Sequence, residues 1–234
     1  MLLGSITGKP LPRKVQEITG AAGDMIAAGT FTGGMRAFTS DVDITTQAGN
    51  LALSAQFENL GAKKIIDDKG VERISLATSM LEADATLRHV NIGTLLNKDI
   101  LGKTNATFHF GGVSSKSNLR GQLRGEVASL EFKQTEYNNL WLEGTIDNKS
   151  FSGELSSEAA PIDFALEGKA DLNGEKPVYD FRLKVDDADL CAMNINKRDS
   201  LSHLAFNAEL YAVGRNLDEM SGTLDISNGL YRYN

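Results

Sequence analysis

Cysteine, proline and aromatic residues are all scarce in this chain of 234 residues. Cys191 is the one cysteine, which excludes an internal disulfide and a metal site built from several cysteines. Only 4 prolines accompany 23 glycines, a balance that suits a fold with many turns rather than a disordered segment. Aromatic residues make up 7% of the chain, which is lean for a conventional core.

A basic surface and long apolar runs are also missing. The formal net charge is −7, which argues against nucleic-acid binding because a nucleic-acid surface needs a basic stripe. No run of about 18 apolar residues occurs, so we expect no transmembrane segment in this fragment. The apolar stretch at residues 1–6 is too short for a signal peptide, and no basic region precedes it. If the protein is exported, we expect the chain to be a fragment of a longer one.

Motifs for phosphate, metal or acid–base chemistry are incomplete. Residues Gly4 to Lys9 fall one residue short of the P-loop spacing. The 3 histidines are far apart in the sequence and fall on the polar parity of the strand pattern, which argues against a zinc site. Asp41 and Asp43 lie near a predicted strand end, where a solvated surface explains them better than acid–base chemistry does. We therefore predict no catalytic residues, no metal and no cofactor, and a protein that is not an enzyme.

The chain does contain a long series of alternating apolar and polar residues. The clearest example runs from Pro161 to Val185, where Phe164 and Leu166 share one parity and Glu167 falls on the other. Side chains on a strand point to opposite faces at period two, so each arm has one apolar and one charged face. The Asn-Gly pair at 173–174 reaches positive φ at low cost and favours a reversal. This stretch predicts a β-hairpin.

The same pattern recurs about a dozen times along the chain, mostly with tight turns such as residues 47–50 between the runs. Residues 61–72 form a polar excursion with a turn expected at Asp68-Lys69-Gly70, and residues 90–97 suit a short helix or corner. Residues 1–24 are the least strand-like. We predict an irregular or short-helix lead-in over 1–24 and a single extended β domain over 25–234.

No long amphipathic helix is available to cover the apolar faces of these strands. A sheet with one apolar face must bury that face somewhere. It can pair with a second sheet, close into a barrel, or fold into a trough that holds an apolar ligand. We predict an all-β fold in which an elongated, curved, mainly antiparallel sheet forms a trough with an apolar interior and little helix.

Several short segments, read in order, carry a family resemblance. They are Gly29-Thr-Phe-Thr-Gly33, Phe38-Thr-Ser-Asp-Val-Asp-Ile44, Gly49-Asn-Leu-Ala-Leu-Ser54, Val90-Asn-Ile-Gly-Thr-Leu-Leu96 with Leu101-Gly-Lys103, Asp186-Asp-Ala-Asp-Leu190, Asp199-Ser-Leu-Ser-His-Leu204 and Asn216-Leu-Asp-Glu-Met-Ser-Gly222. In this order and spacing, which cover nearly the whole chain, the sequence resembles the C-terminal β-rich region of the TamB family. These are the AsmA-like translocation and assembly module proteins of Gram-negative bacteria.

The resemblance implies a periplasmic protein anchored in the inner membrane at an N-terminus outside this chain. It also implies a long apolar trough of the kind described as a β-taco. The family is linked to outer-membrane protein assembly and to phospholipid movement between membranes. It has no catalytic residues to assign to this chain.

Three hypotheses for function remain open. The first is a non-enzymatic lipid conduit in which phospholipid acyl chains slide along the trough. The second is a scaffold whose open strand edges pair with incoming outer-membrane strands, with the outer-membrane assembly barrel protein as a partner. The third is an adhesin or structural module, a closed β-sandwich that buries the same residues completely. For the conduit, the predicted groove lining is Leu51, Leu53, Phe57, Phe108, Leu123, Leu142, Phe164, Leu166, Phe181, Leu183, Phe206, Leu224 and Ile226.

Two features of the polar parity are alternative contact sites. Arg120 and Arg124 form a small basic row that could touch lipid headgroups or a partner, although a solvated face is the simpler interpretation. Trp141 falls on the polar parity beside Glu143, as expected of an exposed anchor or of a residue that covers an edge.

Overall fold

The computed structural model describes residues 13–34, 36–61, 64–66, 72–74, 78–115, 118–196, 198, 201–215 and 219–233. Most of them belong to one sheet of 12 strands. The strands follow the period-two alternation of apolar and polar residues, because that period places all apolar side chains of a strand on one face. The strands are β1 Met25–Gly33, β2 Ala37–Thr46, β3 Gly49–Asn59, β4 Lys64–Ile66, β5 Glu72–Ile74, β6 Thr78–Asn91, β7 Leu101–Ser115, β8 Asn118–Phe132, β9 Thr135–Asp147, β10 Ser150–Ala159, β11 Ile162–Asp171, β12 Val178–Asp189, β13 His203–Val213 and β14 Ser221–Arg232.

The strands lie in the sheet in the same order as in the chain, and every neighbouring pair is antiparallel. β3 lies beside β6 because the segment between them leaves the sheet, and its strands β4 and β5 pair only with each other. The sequence predicted a polar excursion here but not its hairpin. The turn expected at Asp68-Lys69-Gly70 falls outside the described residues. Among the described residues, β1 and β14 have one neighbour each, so both sheet edges are open.

The predicted hairpin of Pro161 to Val185 is confirmed as β11 and β12. Leu166 lies opposite Leu183, and Phe164 lies opposite Val185. The arms are joined by residues 172–177, where the backbone N–H of Asn173 donates to Asp171 Oδ1 at 3.0 Å. The hydrogen bonds from the Asn173 backbone and side chain, followed by that from Lys169, hold the pKa of Asp171 below its usual value.

Helix is confined to two short segments of the described chain. α1 spans Arg13–Ala21, within the predicted lead-in, and α2 spans Ile92–Leu96, where the sequence predicted a short helix or corner. Asn91 Oδ1 accepts the N–H of Thr94 at 3.0 Å and caps α2. Asn97 ends α2 with φ 52°, in the left-handed region that asparagine tolerates. No described helix is both long and apolar enough to cross a membrane.

The sheet forms a single layer in the described part of the chain. Packing against a second layer would bury the apolar side chains in the middle of the strands, but most of those side chains are only half-buried. The chain exposes 16318 Å² of surface, whereas a compact monomer of its 25.2 kDa mass exposes about 10,000 Å². The predicted all-β, elongated antiparallel sheet is confirmed. The closed sandwich is wrong for the described residues, since no second sheet covers the apolar side chains.

The irregularities in strand pairing are concentrated near one margin of the sheet, which we call the packed rim. It contains α1, the β2–β3 turn, α2 and the segment between β12 and β13. Register shifts in β6, β7, β11, β12 and β13 all lie towards this margin. Bulges bend a strand and increase its twist, so aligned shifts curve the sheet along one line. Side chains beside that line are buried, with Ala106, Val185 and Ala188 each 3% exposed.

Candidate functional site

The register assigns each strand residue to one of two faces, because directly opposed residues of neighbouring strands share a face. From Val42 on β2, one row of opposed residues crosses the sheet without a polar side chain, and we call the face that carries it the inner face. The opposite face is the outer face. The row is Val42, Leu53, Ala85, Phe108, Gly125, Leu142, Leu155, Leu166, Leu183, Ala208 and Ile226.

Every residue predicted to line the groove lies on the inner face. Most of these side chains are half-buried, because they are flanked by neighbours on their own face but covered by no second layer. Leu224 and Ile226, on the edge strand β14, are 61% and 64% exposed. The structure thus brings the predicted set together on one open surface. Their contact with lipid stays a prediction.

The inner face also contains aromatic residues that the sequence analysis did not assign to the groove. Two of them, Phe31 and Phe38, stack with the predicted groove residue Phe57 across β1, β2 and β3, with ring centroids 5.1 and 5.2 Å apart. Offset stacking at such distances contributes about 0.5–1.5 kcal/mol per pair beyond the burial of area. Phe31 and Phe38 fall on the apolar parity of their strands, so the alternation itself was the signal that could have found them.

Glycines on the inner face lie directly under phenyl rings of the next strand. A Cβ on Gly144 would lie 2.5 Å from Phe151 Cζ, and one on Gly125 would lie 2.6 Å from Phe108 Cδ1. A side chain at either glycine would force the ring to move, so each ring covers the backbone of its neighbour. The result is a low apolar floor with few projections. Sequence reasoning missed these pairs because they depend on the register between strands.

The outer face is organised by charge. His109 Nδ1 lies 2.8 Å from Asp84 Oδ1, and Arg124 Nε lies 3.1 Å from Glu143 Oε1. Arg120 is also paired, with its Nε donating to Asp147 Oδ1 at 2.9 Å. The basic row predicted on this face is therefore part of solvent-exposed ion pairs rather than a free headgroup site. Exposed pairs of this kind contribute about 0–1 kcal/mol each.

Trp141 lies on the outer face, as its parity predicted, and its side chain is 55% exposed. It borders an open concavity of about 780 Å³ whose wall contains four carboxylates, among them Glu126, Glu143 and Glu154, against Arg124 and His109. Glu126 lies directly opposite Trp141 on β8. This acidic surrounding does not suit contact with an anionic membrane surface. The concavity lies on the charged face, whereas the inner face is a broad open surface.

Near the packed rim, Asp187 joins three strands. His203 Nδ1 lies 2.9 Å from one of its oxygens, and Arg232 donates to the other at 2.9 Å. Within the described ranges, no group of His, Cys, Asp and Glu is arranged to hold a metal ion. Burial raises the pKa of Tyr137. The pKa of Lys184 is also raised, because the ammonium of Lys184 donates a hydrogen bond to Asp186. Tyr137 lies on β9 and Lys184 on β12, with two strands between them, so the two groups with raised pKa values are not brought together.

No family model, no curated protein and no solved structure matches this chain. The resemblance to the TamB family therefore stays a prediction from the sequence. What can be argued about function comes from the geometry of the inner face, the open edges and the packed rim.

Proposed function

We propose that the inner face is an apolar groove for phospholipid acyl chains, in a non-enzymatic segment of a TamB-like periplasmic protein. In this role it carries phospholipid between the inner and outer membranes and supports outer-membrane assembly. The observation that supports the proposal is the unbroken apolar row from β2 to β14, together with the absence of a covering layer over it in the described chain.

The energetic argument for an apolar ligand rests on the apolar area that the inner face leaves in water. Apolar surface costs about 25 cal/mol per Å² when left in water, so a bare inner face is unfavourable. Monomeric proteins rarely expose contiguous apolar patches above a few hundred Å² unless the patch binds something. Acyl chains match such a face because they have no hydrogen-bonding groups to satisfy. A charged or strongly polar ligand would find no partner along the row of Leu53, Leu166 and Leu183.

The shape of the face suits movement as well as binding. Apolar attraction is non-directional and depends on the area removed from water. An acyl chain therefore loses little contact when it shifts from one strand to the next along the row. Rings such as Phe108 and Phe151, which lie over glycines, keep the floor low. Headgroups can remain in water because the described face has no second layer above it.

Photocrosslinking in cells tests the proposal. A benzophenone amino acid at Phe164 or Phe181, on the inner face, should capture phospholipid. The same group at Lys169, on the outer face of the same strand β11 as Phe164, should capture little. Capture only at Lys169 would contradict the groove.

A strand-pairing scaffold is the second candidate function, and the open edge of β1 favours it. All nine residues of β1 are uncharged, and Ile26 and Phe31 are 71% and 65% exposed. Natural edge strands are normally protected by charges or bulges, so an uncharged edge favours pairing with another strand. The photocrosslinker at Thr30 should then capture a strand of the outer-membrane assembly barrel protein. Such capture, with no lipid at Phe164, would favour the scaffold over the conduit.

A further inference from the structure

A pocket at the packed rim has an unusual charge for this chain. It has a volume of about 500 Å³ and lies between the end of α1, the β2–β3 turn, the end of β6 and α2. Arg88, His89 and Lys103 line it, and no carboxylate does. The whole chain has 31 acidic and 24 basic residues, so a wall whose formal charges, those of Arg88 and Lys103, are both positive runs against the overall balance.

The pocket is rich in hydrogen-bond donors. In the part of the chain that the structure describes, neither Arg88 nor Lys103 is in an ion pair, so both charges are available to a ligand. Asn50 lies directly opposite Arg88, and Asn91, which caps α2 through its Oδ1, retains its side-chain N–H groups. A guanidinium, an ammonium and amide donors together match the oxygens of a phosphate group.

Two carboxylates contact pocket residues from outside its wall. Glu131 Oε2 accepts the backbone N–H of Lys103 at 3.4 Å. Asp24 Oδ2 accepts the side-chain N–H of Gln47 at 3.3 Å. Neither carboxylate forms an ion pair with a cation of the pocket within the described ranges. The charges that face the cavity itself are therefore positive.

The position of the pocket connects it with the groove. Thr46 and Gly49, which line it, lie on the inner face, whereas Asn50 and Arg88 lie on the outer face. The cations and amides of the pocket therefore lie on the outer face, including Lys103, and the pocket meets the inner face only at the β2–β3 turn. The inner-face residue next to Gly49 along β3 is Leu51, which is a predicted groove residue. A lipid whose tail lies against Leu51 reaches the pocket by passing round the β2–β3 turn.

We propose that the rim pocket binds the phosphate of a phospholipid whose acyl chains lie on the inner face. This inference rests on the proposed function, since it assigns a headgroup site to the same lipid. The inner face supplies non-directional contact, and the pocket supplies the directional, charge-assisted hydrogen bonds that fix the head at one end of the strands. The pocket therefore selects phosphate-bearing lipids over neutral ones.

Calorimetric titration of the whole chain separates the two parts of the site. The probes are dihexanoylphosphatidic acid, dihexanoylglycerol, which has the chains without the phosphate, and inorganic phosphate. The test variant combines Arg88→Gln with Lys103→Gln. The matched control combines Lys149→Gln with Lys176→Gln. It also removes two positive charges, but from exposed turns at the opposite ends of the strands.

We expect the test variant to bind the phosphatidic acid about tenfold more weakly, which corresponds to about 1.4 kcal/mol. Its binding of dihexanoylglycerol should be unchanged, which also shows that the variant is folded. The control should bind all three probes as the unmodified chain does. Inorganic phosphate should bind far more weakly than the phosphatidic acid because it gains nothing from the inner face.

Several results would overturn the headgroup site while leaving the groove intact. These are an unchanged affinity for phosphatidic acid in the test variant, an equal loss in the control, and inorganic phosphate that binds as tightly as the lipid. The proposed function would fail in a different way. The unmodified chain would then bind neither dihexanoylglycerol nor phosphatidic acid, whatever happens at Arg88 and Lys103.

Discussion

The two faces of the sheet come from the same strands but follow different rules. On the inner face, the register aligns apolar residues and glycines, so Leu166 meets Leu155 and Leu183. On the outer face, it aligns charges, so Arg124 meets Glu143 at 3.1 Å. Water satisfies the outer face. The inner face is left with apolar surface that the described chain does not cover, and this difference is what points to an apolar ligand.

The largest expected effect comes from placing a charge, which is typical of the outer face, on the inner face. Leu166→Glu places a carboxylate in the middle of the apolar row, where an acyl chain cannot hydrogen-bond to it. Burying an unpaired charge costs several kcal/mol, so the phospholipid that co-purifies with the chain should fall at least about tenfold. Phosphate analysis of the purified protein measures this.

Ala165→Glu is the matched control for that variant. Ala165 is the preceding residue on β11 and lies on the outer face, opposite Lys184. It adds the same charge to the same strand, and the bound lipid should stay unchanged. Equal lipid loss in both variants would show that net charge, rather than the face, decides binding.

The second effect compares two leucines of the inner face. Leu140, near the packed rim, is 6% exposed, whereas Leu224, on the edge strand, is 61% exposed. Leu140→Ala should lower the free energy of unfolding by about 2–4 kcal/mol, because it removes buried methyl groups and leaves a cavity. Leu224→Ala should lower it by less than about 0.5 kcal/mol. Urea unfolding of the lipid-free chain measures both, and equal losses would contradict a stability that is concentrated at the packed rim.

A smaller effect is expected on the outer face. Glu154 lies directly between Glu143 and Glu167 on the neighbouring strands, so three carboxylates stand side by side. Like charges directly opposite each other are destabilising. Glu154→Lys should therefore raise the free energy of unfolding by a few tenths of a kcal/mol, about the value of an exposed pair. Unfolding at low and high salt checks this, since the gain should shrink as salt rises, and a salt-independent gain would contradict the charge explanation.

The smallest effect concerns acid stability. The folded-state pKa of Asp171 is lowered, chiefly by the backbone N–H of Asn173. A lowered pKa contributes stability above the ordinary aspartate value near 4, and that stability is lost as the pH falls through the folded-state value. Asp171→Asn should therefore flatten the decline in stability below about pH 4. Thermal unfolding from pH 3 to pH 7 measures this. An equal decline of the unfolding temperature in Asp171→Asn and in the unmodified chain would contradict it.

Much of the sheet could be predicted because strand alternation is a local signal. The parity of Phe164 and Leu166 against Glu167 assigned β11 to its two faces, and the Asn-Gly pair indicated the reversal into β12. The same reading placed Trp141 on the outer face. These features need only the positions of residues within one strand.

The remaining features depend on the register between strands. The cover of Gly144 by Phe151, the register shifts near the packed rim and the cations around the rim pocket join residues from different strands. Arg88 and Lys103 are 15 positions apart in the numbering, and no spacing in the sequence links them. The β4–β5 hairpin was missed because a three-residue strand is too short to show alternation.

The central claim, that the inner face alone holds acyl chains, can be measured with tryptophan fluorescence. Trp141 is the one tryptophan of the chain and lies on the outer face. A variant that combines Trp141→Phe with Phe164→Trp moves the fluorophore to the inner face. Phospholipid with brominated acyl chains, which quench tryptophan on contact, should quench the moved residue and leave Trp141 of the unmodified chain bright. Equal quenching at both positions, or stronger quenching at Trp141, would contradict the account.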